Sequence, residues 1–263
     1  MKKKQKFDFF SSSTQGVQLF LVIALVGGVF AFWKYGIDLT ILLTILVGYF
    51  LYACLGIIVM FHRNLTHQSY KTSKFFEKLF SFFGCLGNTG SSIVWVAIHL
   101  NHHIKSDKNG DPHSPSYTGL RMFTLDYVHD YDKNIKMHMR GILRDSYHRF
   151  LHRYYFLIII AWSALLFLIG GVYLMVFFHW IPAFLTAFFS NVVNYIGHKP
   201  NWWGGYRNYN LNDQSTNNWL WAIFTWGESW HNNHHRFPKR YMSGHKWWEL
   251  DISGLIIKAI KHN

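Results

Sequence analysis

The chain has 263 residues, of which 50% are hydrophobic and 19% aromatic, and its formal net charge is +13. Only 15% of its residues are charged, against roughly 25% in ordinary soluble domains, which argues against a soluble globule and for a membrane protein. The excess positive charge is compatible with nucleic-acid binding, but no recognition module accompanies it, so no nucleic-acid partner is expected.

Residues 1–16 are polar and begin with Lys2, Lys3, Lys4 and Lys6. Residues 17–33 carry no charge. No A-x-A-like cleavage site follows and a second apolar run comes at once, so the stretch reads as a membrane span rather than a signal peptide. After a short link at 34–38, residues 39–61 are uncharged and long enough to cross about 30 Å of hydrocarbon. Residues 75–98 are apolar in patches, but Lys74, Glu77 and Lys78 lie near their start and Gly84, Gly87 and Gly90 within them. A broken or interfacial segment is expected there. Gly110-Asp111-Pro112-His113-Ser114-Pro115 marks a turn. Residues 121–155 spread Arg140, Arg144, Arg149 and Arg153 among aromatic and aliphatic residues, the pattern of an amphipathic helix on a membrane surface.

Residues 156–178 form a third uncharged run, and after His179 and Trp180 residues 181–197 form a fourth. The fourth contains Asn191 and Asn194, polar groups that within a span face the protein interior or a cavity. Trp202, Trp203, Trp247 and Trp248 read as an interfacial belt. Trp219, Trp221, Trp226 and Trp230 read as packing residues, with a substrate channel as the other possibility.

The expected fold is therefore all-α and integral to the membrane. It has four transmembrane helices (17–33, 39–61, 156–178 and 181–197) and a helical cap, in one domain over 1–263. Residues 1–16, 62–155 and 199–263 together hold 25 of the 26 Lys and Arg residues. The positive-inside rule then puts both termini and the middle segment in the cytoplasm, at the inner membrane if the chain is bacterial.

Eight histidines cluster in three places: His62 and His67; His99, His102 and His103; His231, His234 and His235. The topology puts all three clusters on one side of the bilayer. In H-x-x-H-H, positions i, i+3 and i+4 share a helix face, so each pentad is expected to aim three imidazoles the same way. His62 and His67, five apart, match one face less well. Eight imidazoles exceed the three or four protein ligands of one zinc ion and suit two metals with about four each. His198, four residues after Asn194, is a natural ninth. Glu228, Asp107 and Asp111 flank the clusters. Glu228 stands three residues before His231 as a partner that could fix an imidazole.

Imidazole binds zinc, copper, iron and nickel alike, and an all-nitrogen pair of ions beside a bilayer points to iron and oxygen chemistry. His113 reads as a turn or hydrogen-bonding residue. His129, His138, His148, His152, His179, His245 and His262 read as ordinary core or surface residues. Cys54 and Cys85 read as small buried hydrophobes.

Three stretches resemble the histidine boxes of the membrane-bound fatty acid desaturases. Phe61-His62-Arg63-Asn64-Leu65-Thr66-His67 resembles the first box. Trp95 to His103, running on to Ser106-Asp107 and Gly110–Pro115, resembles the second. Gly227-Glu228-Ser229-Trp230-His231-Asn232-Asn233-His234-His235 resembles the third. Ser215–Trp219 and Trp247–Asp251 are similar to the bacterial and cyanobacterial delta-9 type. The resemblance covers about residues 35 to 255.

It implies two iron ions held by His62, His67, His99, His102, His103, His198, His231, His234 and His235. Asn194 would hold a metal-bound water, Glu228 and Asp111 would stand behind the ligands, and no catalytic residue is implied beyond the ligands. It further implies O2-dependent insertion of a cis double bond into a saturated acyl chain carried by coenzyme A or a lipid, and a kinked apolar tunnel for that chain. No fused cytochrome b5 region is present, so a separate electron donor, a ferredoxin or a cytochrome b5-like protein, is expected. Two positions depart from the family pattern. Leu100 replaces the usual arginine of the second box, and Gln68 stands where a basic residue often follows the first. A related lipid or alkane hydroxylase is the alternative reading. A metal transporter fits less well, since the ligands lie at span ends rather than within spans.

Overall fold

The computed structural model describes residues 11–124, 131–200 and 202–262. The basic residues among 1–10, His129 and residues 125–130 near the start of the expected 121–155 helix lie outside the described residues.

Three helical stretches are long and apolar enough to cross a membrane: Thr14–Tyr35, Leu39–Thr66 and Tyr155–Gly197. The first lies in α1 (Ser11–Tyr35). The second, α2, starts at Asp38, whose carboxylate accepts the Ile41 amide at 2.7 Å and so satisfies one of the free N–H groups of a helix start. Its second half, Phe50–Thr66, winds in the wider i→i+5 form, a geometry that recurs at functional sites.

The third stretch is not straight. Gly170 (φ −141°, ψ 21°) and Gly171 (φ 61°, ψ −155°) leave the helical region. Gly171 occupies a backbone region open essentially to glycine alone. On a straight helix Ser163 and Trp180 would stand about 25 Å apart. Instead the Trp180 indole donates to Ser163 Oγ at 3.2 Å, so the chain reverses between them. The expected boundary at His179–Trp180 is therefore corrected. The turn is at Gly170–Gly171, and His179 is a buried residue inside the returning helix, its ring against Phe20 and Tyr52. The unbroken uncharged run hid the turn. We label the parts α6 (Tyr155–Leu174) and α7 (Ile181–Gly197), joined by the wider turns of Met175–Trp180.

One expectation holds and another changes. Residues 75–98 are broken as expected, between α3 (Lys74–Leu86) and α4 (Ser92–Lys105), capped by Ser73 and Ser91. The 121–155 stretch holds no single long helix among its described residues. It contains a 3-10 turn at Gly119–Thr124, short helices at Ile135–His138 and Arg140–Arg144, and α5 (Ser146–Arg153).

The C-terminal part adds α8 (His231–Arg236) and α9 (Ile252–Ile260). It also adds one departure from an all-α fold, a two-residue antiparallel pairing of Gly205–Tyr206 with Asn217–Asn218.

The apolar core joins α2, α3, α5, α6 and α9 through Leu55, Ile57, Val59, Phe61, Phe80, Leu151, Ile159 and Ile257. Cys54 and Cys85 are buried free thiols within it. By contrast Leu19, Val22, Val26 and Val29 on α1, and Leu168 and Ile169 before the turn, are exposed apolar residues, a surface that hydrocarbon rather than water would cover. The start of α1 meets the α3–α4 loop, where the Asn88 amide donates to Val17 O at 3.2 Å. The start of α6 meets the same loop, where Tyr155 Oη accepts the Gly90 amide at 3.1 Å.

Candidate metal centre

The end of α2, the second half of α4, the end of α7 and α8 converge on two groups of imidazoles. His62, His67, His99, His103 and His234 form one group; His102, His198, His231 and His235 form the other. In each, the ligand nitrogens lie within 4.8 Å of one another. All nine histidines expected from the sequence are thus brought together, as five and four rather than four each.

Local geometry explains the division. His62 and His67 are five apart, a poor spacing for an α-helix. The wide turn solves this: the His67 amide bonds His62 O at 3.1 Å, and the two rings stand 4.9 Å apart. The pentads do not aim three rings together. Positions i and i+4 share a group, and i+3, rotated about 60° from i and about 100° from i+4 around the helix, serves the other. His99 and His103 meet at 3.1 Å through Nε2, as do His231 and His235 at 3.0 Å. His102 and His234 cross over, each joining the other pentad's pair. His198 ends α7, and its Nε2 lies 2.9 Å from that of His231. Gly197 makes this approach possible, since a Cβ there would sit 2.8 Å from the His231 ring.

Carboxylates stand behind four of the rings. His62 Nδ1 is 2.5 Å from Glu228, and His102 Nδ1 2.9 Å from Asp111. His198 Nδ1 is 2.8 Å from Asp107, and His235 Nδ1 2.8 Å from Asp213. Burial would raise the acids, but the neighbouring imidazoles and Arg63 win. Glu228 is held down at about 2, and Asp111, Asp107 and Asp213 lie below the usual carboxylate range. Burial, reinforced by neighbouring rings, pushes His67, His99, His103, His231 and His234 well below the ordinary histidine range and takes His235 to about 4. His102 is the exception: burial pulls it down, but Asp111 raises it.

These features fit metal binding. A carboxylate at Nδ1 holds the ring proton there and turns a lone pair outward at Nε2. Neutral imidazoles are the form that ligates. Neighbouring Nε2 atoms are 2.9 to 3.4 Å apart. Two ligands at right angles on a metal, each about 2.1 Å away, would be about 3.0 Å apart. Facing lone pairs at that distance repel unless a cation lies between them.

Sequence reasoning gave no role to five residues. Asp213, and Asp107, noted only as flanking the clusters, orient rings as Asp111 and Glu228 do. Asp213 stands 22 residues from His235 and no motif links the two. Arg63, fully buried, donates to Glu228 at 2.6 Å and to Asp251 at 2.8 Å. Asn232 and Asn233, the two positions between the pentad's first two histidines, fix α8. Asn232 accepts the amides of Asn208 and Tyr209. Asn233 accepts from Asn208 and Asn217 and donates to Ser243 O and Glu249.

His113 is buried with its ring 4.2 Å from that of His102, and its amide donates to Asp111 at 3.1 Å. Leu100 packs against the buried cluster of Ile93, Val96, Ile135, Met139 and Ile142, so that position supports the fold. Gln68, with a left-handed φ of 50°, closes the wide helix, its amide donating to Asn64 O.

A cavity of about 70 Å³ adjoins both groups. Its lining includes His62, His99, His231 and Asn194 together with apolar residues such as Ala53, Ile57, Phe189 and Val193.

The fold and site define a helical protein with membrane-length apolar helices and paired histidine clusters able to hold metal. Residues 39–252 match the fatty acid desaturase family model, and the chain belongs to that family. It is similar to the acyl-CoA C20 Delta5-desaturase of Anemone leveillei, with 36% identity over 82% of this chain and 70% of the relative. It is also similar to Delta-9 acyl-lipid desaturase 1 of Arabidopsis thaliana (34% identity, 79% and 68%) and to sn-1 stearoyl-lipid 9-desaturase of Anabaena variabilis (32% identity, 92% and 89%). The protein is an oxidoreductase, a fatty acyl desaturase.

Proposed function

We propose that the chain is a di-iron, O2-dependent desaturase that inserts a cis double bond at the delta-9 position of a saturated acyl chain carried by a lipid or coenzyme A. The observation that carries this reading is the apolar cavity lined by ligands from both histidine groups. The delta-9 assignment follows the Anabaena and Arabidopsis relatives.

The five histidines His62, His67, His99, His103 and His234 would hold one iron, and His102, His198, His231 and His235 the other. Asn194, which lines the cavity as His231 does, would hold a water on the second. Bound iron supplies the activation of O2 and the removal of two hydrogens from adjacent methylenes. The balance is –CH2–CH2– with O2, two electrons and two protons giving –CH=CH– and two waters. The electrons come from a separate one-electron carrier of the ferredoxin or cytochrome b5 type.

The protein's own part is positional. Ala53, Ile57, Phe189 and Val193 bury the chain at about 0.8 kcal/mol per methylene, so that one pair of carbons rests beside the histidines. Exclusion of water from that channel protects the reaction. Glu228, Asp111, Asp107 and Asp213 hold four rings in register.

The membrane arrangement we propose is four spans: α1, α2 and the two arms of the Gly170–Gly171 hairpin, with both termini and the histidine-bearing cap in the cytoplasm. Contacts of the starts of α1 and α6 with the α3–α4 loop support this, as do the ends of α2 and α7 in one site. The Lys and Arg distribution gives the side.

Expression in a host lacking its own desaturase, followed by mass spectrometry of the fatty acids, tests the activity. A new monounsaturated chain with its double bond at carbon 9 is expected. An alcohol as the main product would overturn the reading.

A further inference from the structure

The two histidine groups differ in more than ligand number. In the four-histidine group, three rings carry a carboxylate at Nδ1: His102 with Asp111, His198 with Asp107, and His235 with Asp213. None of these three acids meets a Lys or Arg side chain among the described residues. Instead they are fixed by uncharged donors. Asp107 accepts from Ser114 and the Gln214 amide, Asp111 from the amides of Asp107 and His113, and Asp213 from the amide and hydroxyl of Ser215.

The five-histidine group has one such carboxylate among the described residues, Glu228 at His62. Its charge is shared, because the Arg63 guanidinium grips its other oxygen through Nε at 3.1 Å and Nη2 at 2.6 Å. Arg63 in turn is held by Asp251 and by Tyr241 O, so it cannot swing away.

A carboxylate that accepts the Nδ1 proton makes the imidazole a stronger donor and adds negative charge close to the ion. Both effects favour the more highly charged form of a bound metal. From this we infer that the two sites are redox-inequivalent: the metal held by His102, His198, His231 and His235 is the harder to reduce. The first electron from the one-electron carrier, converting one Fe3+ to Fe2+, then settles on the metal held by His62, His67, His99, His103 and His234. Asp107, Asp111 and Asp213 are the tuning residues on one side, and the Glu228–Arg63 pair limits the same effect on the other. This inference rests on the di-iron reading above.

The test is an anaerobic dithionite titration of the purified, 57Fe-loaded full-length enzyme, followed by Mössbauer spectroscopy. Iron content and product formation are measured on the same sample. Two resolved reduction steps are expected, with most molecules holding one Fe2+ and one Fe3+ at half reduction. Asp213→Asn should ease the second reduction about tenfold, which is a rise of about 59 mV for one electron, and leave the first unchanged. Glu228→Gln should move the first step and spare the second. Asp107→Asn repeats the Asp213 test at another ligand, should Asp213→Asn fail to accumulate. A single two-electron step in the wild-type enzyme overturns the inference, and so does an Asp213→Asn or Asp107→Asn shift confined to the first step. A preparation that binds no iron and makes no double bond refutes the di-iron reading itself, which is a separate outcome.

Discussion

His102 and His103 are neighbours in the chain, yet their Nε2 atoms belong to different groups. That of His102 lies 3.4 Å from His235, and that of His103 lies 3.0 Å from His234. A single peptide unit therefore bridges the two sites, and a change at either residue is felt on its own side first.

Alanine substitutions should separate the groups. His102→Ala removes one of four ligands and His234→Ala one of five. Both should abolish double-bond formation while the protein stays in the membrane fraction. Each should lower metal affinity at least tenfold at its own site, with the larger metal loss in His102→Ala. Metal analysis beside fatty-acid profiling checks this, and full activity in either variant would refute the assignment.

Asn233 is fully buried and its side chain meets four partners. Asn233→Ala strands them without water. A loss of about 3 kcal/mol in stability is expected, read as a lower melting temperature in detergent. A melting point equal to that of the wild type would show that the network is dispensable.

Ala53 lines the cavity, nine residues from His62 on the same helix and so on the order of 10–13 Å along it. Ala53→Phe should shorten the space open to the acyl tail. Each methylene denied burial costs about 0.8 kcal/mol, so the products should shift toward shorter chains while the double bond keeps its distance from the head group. Gas chromatography of the products decides this. An unchanged chain-length profile would place the tail elsewhere.

Gly171→Ala puts a side chain on a backbone with φ 61° and ψ −155°, at a cost of about 1–3 kcal/mol. Space is not the obstacle, because a Cβ there meets nothing within 4 Å. Lower yield and a lower melting temperature are expected, with the activity per folded molecule retained.

The nine histidines that cluster in space were legible in the sequence because histidine at these spacings is rare in an apolar chain. Their partition was not. Whether i+3 joins i and i+4 depends on where the neighbouring helices stand, which spacing alone does not record. The spacing of His62 and His67 looked unfavourable because an ordinary helix was assumed. The wide turn that reconciles them is a tertiary compromise without a sequence sign. The first two apolar helices were found nearly to their ends, since charge and Asp38 mark the limits. The Gly170–Gly171 turn was missed because no charge interrupts the run, and the polar pair His179–Trp180 drew the boundary nine residues too far along. Asn232 and Asn233, the two positions between the pentad's first two histidines, hold that helix in place although the motif gave them no role.

The crossing of His102 and His234 also orders events in time. The five-histidine group lacks a member until residue 234 has been made, and the four-histidine group until residue 235. Among the described residues the third membrane-length stretch ends at Gly197, so all three such stretches have been made before either group is whole. Because segments fold in the order they are synthesised, any metal bound by the complete groups would be taken up late, after the apolar stretches have been made. A chain stopped short of the second pentad would be a membrane protein with no complete site at all.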